Sequence, residues 1–341
     1  MKKVVTIGGG TGSFTLLSGL KKYPLNITAI VSMADDGGST GRLRDELGVL
    51  PPGDVRQCLV ALSNSSDILR KLMNYRFEKG GLKGHNFGNL FLSALEKITG
   101  KFSLGVEEAT RILNVTHKVL PVSEEKMTLY IKLNNGKTIK GEKQLDHNKL
   151  VRKFGIKEIY LKPKVKAYEK AIKAIEKANF IIIGPGDHYG SILPNLLIRK
   201  ISQAIQKSKA KVIYVCNLTN KKGQTEGFDL NDYVNFINEY VGKNRIDYVV
   251  YNIKKPAQKL IAKYEKIEGK NSLVTFDIDK YENRNYKVVK ANILKKSNVV
   301  MNKNDAIKNT RSFIRHDSDK LAQVLVEIFN RNDRSIIKDI I

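Results

Sequence analysis

Val4-Val5-Thr6-Ile7-Gly8-Gly9-Gly10-Thr11-Gly12-Ser13 stands at the start of the chain, and its reading decides the fold. A short apolar run enters a glycine turn, and residues 11–22 continue at helical spacing. That order predicts a buried strand, a tight turn and a helix. A second apolar run, residues 27–33, leads into Ala34-Asp35-Asp36-Gly37-Gly38-Ser39-Thr40-Gly41. Glycine lets a backbone approach a phosphate with no Cβ in the way, and a helix N-terminus adds unpaired N–H donors. The two segments therefore outline the floor of a nucleotide site, with Gly9, Gly10, Thr11, Gly12, Asp35, Asp36, Gly38 and Ser39 as candidates.

Outward from this stretch, strands alternate with helices, which argues for a mostly parallel sheet with helices on both faces. Helices are expected over residues 43–47, 54–62, 68–76, 86–98 and 106–113, and strands over 180–183, 211–217 and 248–251. Helices over residues 192–207, 230–241 and about 320–330 complete the pattern. The middle differs. Residues 127–133 and 138–142 alternate around Asn134-Asn135-Gly136, a hairpin signal. With a further strand over 158–161, this makes a β-rich excursion over about residues 123–162 in one Rossmann-like α/β domain spanning 1–330. Residues 331–341 read as a frayed tail.

Of the 341 residues, 41% are hydrophobic, enough for a large core, yet no apolar run is long enough to span a membrane. The expected strand begins almost at the N-terminus, which leaves no space for a signal peptide. The two cysteines, Cys58 and Cys216, lack metal-ligand spacing, and a reduced, cytoplasmic setting is expected. The net charge of +26 lies mostly beyond residue 130, but many lysines stand singly. Solvated faces explain that pattern better than a specific nucleic-acid surface.

Gly8–Ser13 nearly matches the dinucleotide fingerprint G-x-G-x-x-G, with Ser13 in place of the last glycine. Asp35 stands where a ribose-binding carboxylate is expected. In Pro52-Gly53-Asp54-Val55-Arg56, Asp54 has two readings. Capping the following helix is the commoner fate; holding Mg²⁺ beside a phosphate is the alternative. Arg56 can pair with a phosphate in forked geometry. Asn86 and Asn89 share a face of one helical turn and suit either a sugar or base contact or a helix cap. Gly184-Pro185-Gly186 and Asn217 end two later strands, the usual ligand position in open α/β sheets. Ile314-Arg315-His316-Asp317 combines a cation, an imidazole and an acid at a helix start. No zinc cluster, serine-hydrolase elbow or Walker lysine motif is present in the sequence.

These segments, together with Arg42-Leu43-Arg44, Gly84-His85-Asn86-Phe87-Gly88-Asn89-Leu90, Ser191-Ile192-Leu193-Pro194-Asn195 and Thr225-Glu226-Gly227, resemble the YvcK-type gluconeogenesis factors. That group belongs to the CofD-like (2-phospho-L-lactate transferase) superfamily. The resemblance covers residue 4 to about 320. It implies a cytoplasmic regulator of cell shape during gluconeogenic growth. Such a regulator binds a UDP-sugar such as UDP-N-acetylglucosamine and acts through a cytosolic protein partner. Self-association into a homo-oligomer stays open. The glycine turn with Thr11 would hold diphosphate, and Asp35, Asp36 and Asp54 would face ribose or a metal. Asn217 would meet the nucleoside, and Arg315 would close the site. The alternative is a Mg²⁺-dependent phosphotransferase of the transferase branch, with Asp36 and Asp54 as its acids. Nicotinamide-dependent oxidoreduction is a third class, weakened by Ser13.

Two segments depart from the family pattern. Gly186-Asp187-His188-Tyr189-Gly190-Ser191 stands where Gly-Ser-Leu-Tyr-Thr-Ser is usual. Asn220-Lys221-Lys222-Gly223 is more basic than the usual Met-Thr-Gln-Pro-Gly. The polar stretch 134–155 takes no function from the resemblance.

Overall fold

A computed structural model describes residues 1–146, 148–277, 284–296 and 313–331. Its strands are β1 (Lys2–Gly8), β2 (Leu25–Val31), β3 (Lys118–Pro121), β4 (Thr128–Leu133), β5 (Thr138–Lys140) and β6 (Ile156–Lys162), then β7 (Phe180–Ile183), β8 (Lys211–Val215), β9 (Tyr248–Asn252) and β10 (Lys287–Ala291). Seven of them form one sheet in the order β10-β9-β8-β7-β1-β2-β3, with every pairing parallel. The chain winds one way from β1 to β3 and the other way from β7 to β10. The order therefore reverses between β1 and β7, where open α/β sheets place their ligand crevice. Ile7 lies beside Ile183 in the register, so the glycine turn and Gly184-Pro185-Gly186 leave the sheet side by side.

The central strands are apolar without alternation because both faces are covered. On one side, helix Gly10–Leu20 packs against helices Gly53–Leu62 and Ser318–Asn330. A Cβ on Gly19 would fall 2.0 Å from the Ser318 carbonyl oxygen, so glycine is what lets the last helix dock. On the other side, helix Arg199–Lys207 packs against Glu169–Glu176 and Leu230–Val241.

The parallel sheet, its helices and a small antiparallel insertion agree with the expected fold class. Several details differ. β3 escaped the sequence reading because four residues ending in Pro121 carry no period of their own; pairing with β2 makes them a strand. The helix expected over 192–207 is broken into a π-turn (His188–Ile192), Leu193–Leu196 and Arg199–Lys207. Pro194 supplies no N–H to a continuous ladder. The helix expected from residue 43 begins inside the acidic loop, at Gly38.

The insertion is a three-stranded sheet, β5-β4-β6. Leu129, Ile131 and Leu133 on β4 point inward and are buried with Leu145, Val151 and Ile159. The strand expected to reach residue 142 stops at Lys140, and Glu142–Gln144 forms one 3₁₀ turn. The frayed tail expected from 331 falls, beyond Arg331, outside the described residues.

Candidate nucleotide site

A cavity of about 510 Å³ opens at the point where the strand order reverses. Gly9, Gly10, Thr11 and Gly12 form its floor. Helix Gly10–Leu20 starts there with Gly9 as its N-cap and no side-chain cap. Helix Gly38–Leu47 also starts on the cavity without a side-chain cap. Two helix N-termini thus bring backbone N–H groups and partial positive charge to one place, as an anion site requires. The glycines are needed for close approach. A Cβ on Gly9 would sit 2.2 Å from Asp54 Oδ2, and one on Gly12 would sit 2.0 Å from the Pro185 carbonyl oxygen.

Asp35 and Asp54 stand in the cavity wall. Asp35 accepts from the Gly37 N–H at 2.9 Å and from the Thr40 hydroxyl. Burial, and then the charge of Asp36, still push its carboxyl above the usual range. Asp54 accepts from the Gly10 N–H, yet burial and the neighbouring Asp35 push it up to about 8. Asp54 does not cap its helix: it lies in the first turn of Gly53–Leu62, behind Pro52. Two acids with raised pKa beside an anion floor either hold protons or share a cation.

Asp36 turns out to do something else. It is buried, accepts from the Lys143 backbone N–H at 2.8 Å, and pairs with Arg44 at 3.9 Å. It does not line the cavity. Asn86 is likewise the N-cap of helix Phe87–Thr99, accepting from the Asn89 N–H, and is not on the cavity wall. Gly184 lies behind the wall, and Pro185 and Gly186 form it.

The remaining candidates converge. Gly38 and Ser39 line the acidic-loop side, and Arg56 and Asn89 the adjacent wall. Arg56 Nε donates to Asn89 Oδ1 at 2.9 Å, and its Nη1 donates to Asn74 Oδ1 at 2.5 Å, so the guanidinium is held by protein partners. Asn217 Nδ2 donates to the Gly186 carbonyl at 2.9 Å, and its Oδ1 accepts from the Tyr214 hydroxyl at 3.0 Å. Arg315 and His316 line the far rim. His316 is buried and held neutral, its pKa lowered to about 4, and its Nε2 donates to the Cys216 carbonyl at 3.2 Å.

Several cavity residues were not candidates in the sequence. Glu142, Lys143 and Asp146 reach it from the insertion, and Asp187, His188 and Lys221 from the loops after β7 and β8. The two segments that depart from the family pattern meet here: Lys221 Nζ lies 2.5 Å from Asp187 Oδ2 and 2.7 Å from Asp146 Oδ1. Burial pulls the Lys221 ammonium down, but the two carboxylates outweigh it and hold it well above its usual value. Burial likewise pushes Asp187 up, but Lys221 and the Gly190 N–H bring it below its usual value. Glu142 goes the other way, well up, through burial and then the charges of Asp35 and Asp187. Unpaired polar residues in a turn gave no local signal of this, since the partners are far away in sequence.

A doubly wound parallel sheet with glycine loops at the reversal point defines a Rossmann-like α/β class of protein. The chain belongs to the CofD family: the family model for 2-phospho-L-lactate transferase CofD matches residues 4–294. It is 38% identical over 330 residues to the gluconeogenesis factor of Bacillus subtilis (strain 168), covering 96% of this chain and 98% of that one. It is 43% identical over 275 residues to the gluconeogenesis factor of Halalkalibacterium halodurans, covering 80% of this chain and 84% of that one. A crystal structure of a UPF0052 family protein from Bacillus halodurans superposes with a TM-score of 0.86 at 37% identity, covering 96% of this chain and all of that one. Among the described residues, no helix is long and apolar enough to cross a membrane.

Proposed function

We propose that the cavity binds a UDP-sugar, UDP-N-acetylglucosamine in the first place. On this reading the protein is a regulator of cell shape and envelope-precursor supply during gluconeogenic growth, acting through a cytosolic protein partner. The observation that carries the reading is the pair of helix N-termini without side-chain caps on one cavity floor. They suit a diphosphate, and Asp35 and Asn217 line the same cavity with polar groups for the nucleoside or the sugar. A thermal-shift panel tests the reading with UDP-N-acetylglucosamine, NAD and GDP, each with and without Mg²⁺. A ligand at a hundred times its Kd adds about 2.7 kcal/mol of apparent stability. No shift with the UDP-sugar at millimolar concentration removes the reading.

A second reading is a Mg²⁺-dependent phosphotransferase, favoured by the raised pKa of Asp54 beside Gly9 and Gly10. No group of three or more potential ligand side chains is preassembled for a metal among the described residues. Mg²⁺ commonly takes only one or two carboxylates and completes its shell with phosphate and water. Asp54 and Asp35 fit that donor set. When bound, the ion would neutralise charge on a leaving phosphate. Asp54 would hold the ion and Asp35 would orient beside it. Metal-dependent consumption of a nucleotide-activated phospholactate, lost in Asp54→Asn while binding persists, would favour this reading over the first.

A further inference from the structure

The insertion sheet has two faces. Leu129, Ile131 and Leu133 of β4 point inward, where they are buried with Leu145, Val151 and Ile159. The residues between them point the other way, because side chains alternate along a strand. The antiparallel register sets Tyr130 opposite Tyr160 on β6 and opposite Lys140 on β5. It also sets Thr128 opposite Lys162, and Lys132 between Glu158 and Thr138. None of these outward residues lines the nucleotide cavity.

This outer face joins aromatic surface to positive charge. The Tyr130 and Tyr160 rings are stacked, 5.4 Å between centres and 8° from parallel, and both residues are partly exposed. Lys162 Nζ lies 5.6 Å from the first ring centre and 5.4 Å from the second. Lys140 and Lys162 are exposed and have no carboxylate partner among the described residues. Lys132 reaches Glu158 only at 4.0 Å with both side chains well exposed, so that pair is weak. Between residues 126 and 166 the chain carries twelve Lys or Arg and three acids. Of those acids Asp146 is tied to Lys221 and Glu142 stands on the cavity, which leaves Glu158 to face outward. Past β6, Glu158 and Glu239 lie near Tyr240 and bound the basic face on that side. Lysines that stand singly in the sequence are thus gathered by the strand register. An edge lysine alone would discourage strand pairing. Several lysines around an exposed aromatic pair also meet what a polyanion with flat groups requires.

We propose that the outer face of the insertion docks single-stranded nucleic acid without sequence preference: unpaired bases stack on the Tyr130–Tyr160 pair, and Lys132, Lys140 and Lys162 meet the phosphates. An aromatic platform set in positive charge is the general means of holding single strands, since every base has a face to stack. A duplex keeps its base faces covered and cannot use the tyrosines. An acidic peptide matches the lysines but brings no bases. None of this depends on the nucleotide-sugar reading of the cavity.

Fluorescence anisotropy of the full chain with a labelled oligouridylate of about twelve nucleotides tests it, at roughly 0.15 M salt. The wild type is expected to bind this single strand more tightly than a duplex of equal length. Tyr160→Ala should weaken binding about tenfold, and Tyr160→Phe, which keeps the ring, should restore it. Lys140→Glu combined with Lys162→Glu should weaken binding about tenfold or more and flatten its salt dependence. Lys177→Glu combined with Lys259→Glu makes the same change in net charge at exposed positions outside the insertion, and should do little. Thermal melts check that each variant is folded. No binding of the single strand, a duplex bound as tightly, or equal losses in the two charge variants overturns the proposal. So does displacement of the oligonucleotide by polyglutamate at equal charge, which would make the face a surface for an acidic protein instead. The thermal-shift panel with the UDP-sugar reads the cavity alone, so either result can fail while the other holds.

Discussion

The Gly10 backbone N–H donates to the Asp54 carboxyl, so the glycine turn at the start of the first helix already holds an acid. An aspartate in the unfolded chain titrates near 3.9, whereas Asp54 in the fold is pushed up to about 8 by burial and by Asp35. Between those values the folded state keeps a proton that the unfolded chain has released. Stability contributed by the neutral carboxyl is therefore complete at low pH and is lost as pH rises through the folded value. In metal-free protein the melting temperature should fall between about pH 5 and about pH 8, and Asp54→Asn should flatten part of that fall. Thermal denaturation across that range in a chelating buffer checks this. An unchanged slope in the variant would place the proton elsewhere.

Gly12 meets the carbonyl of Pro185 across the reversal point, where an added Cβ would come within 2.0 Å of the oxygen and 2.8 Å of Gly186 Cα. Neither neighbour is a flexible side-chain end, so backbone must move. Gly12→Ala should destabilise the fold by about 1–3 kcal/mol, as overpacking does. Gly38→Ala is the control: nothing lies within 4 Å of its Cβ, and only its φ of +47° opposes the change. That strain should cost about 1–2 kcal/mol. Urea midpoints measure both. The Gly12 variant should in addition lose the ligand-induced thermal shift, because the glycine turn and the loop after β7 can no longer sit together.

How much of this was legible depends on the range of the interactions involved. The glycine turn, the strand before it and the helix after it are local, and Gly9 to Gly12 read directly as a glycine turn that lines a cavity at a helix start. The βα rhythm implied a mostly parallel sheet with helices on both faces, and the pairing of β1 with β7 is what supplies the reversal of strand order. β3 was hidden because its four residues are made a strand by a neighbour. The acidic insertion wall was hidden more deeply. Glu142, Asp146 and Lys221 look like solvated polar residues until the chain brings loops 75 and 34 residues apart onto one ammonium. Nor does local sequence say which of two adjacent aspartates faces a cavity.

Asp35 and Asp36 supply a direct test of that last point. Asp35 lines the cavity, and Asp36 is turned toward the Lys143 N–H and Arg44. Asp35→Asn should weaken UDP-sugar binding by about 1–3 kcal/mol if the carboxylate takes a ribose hydroxyl, a hydrogen bond to a charged group. Asp36→Asn should do less to binding and should instead speed amide hydrogen exchange at Lys143 and its neighbours in the turn. Calorimetry and exchange on the two variants separate the roles. Equal effects of both on binding would contradict the division.

Lys221 lies between two acids with its side chain 25% exposed, and Asp187 is 20% exposed, so their attraction is only partly screened by water. Removing the lysine leaves Asp146 and Asp187 facing each other without a cation. Lys221→Gln should destabilise the protein by about 2–4 kcal/mol, somewhat less than the loss typical of a fully buried pair. Asp187→Asn alone should also destabilise, because Gly190 and Lys221 each lose a charged acceptor. The double variant removes the repulsion together with the pair. Its loss should therefore be smaller than the sum by about 1–3 kcal/mol, the coupling expected for residues in direct contact. Urea unfolding of the four proteins closes the cycle, and strictly additive losses would mean that Lys221 and Asp187 are neighbours without being partners.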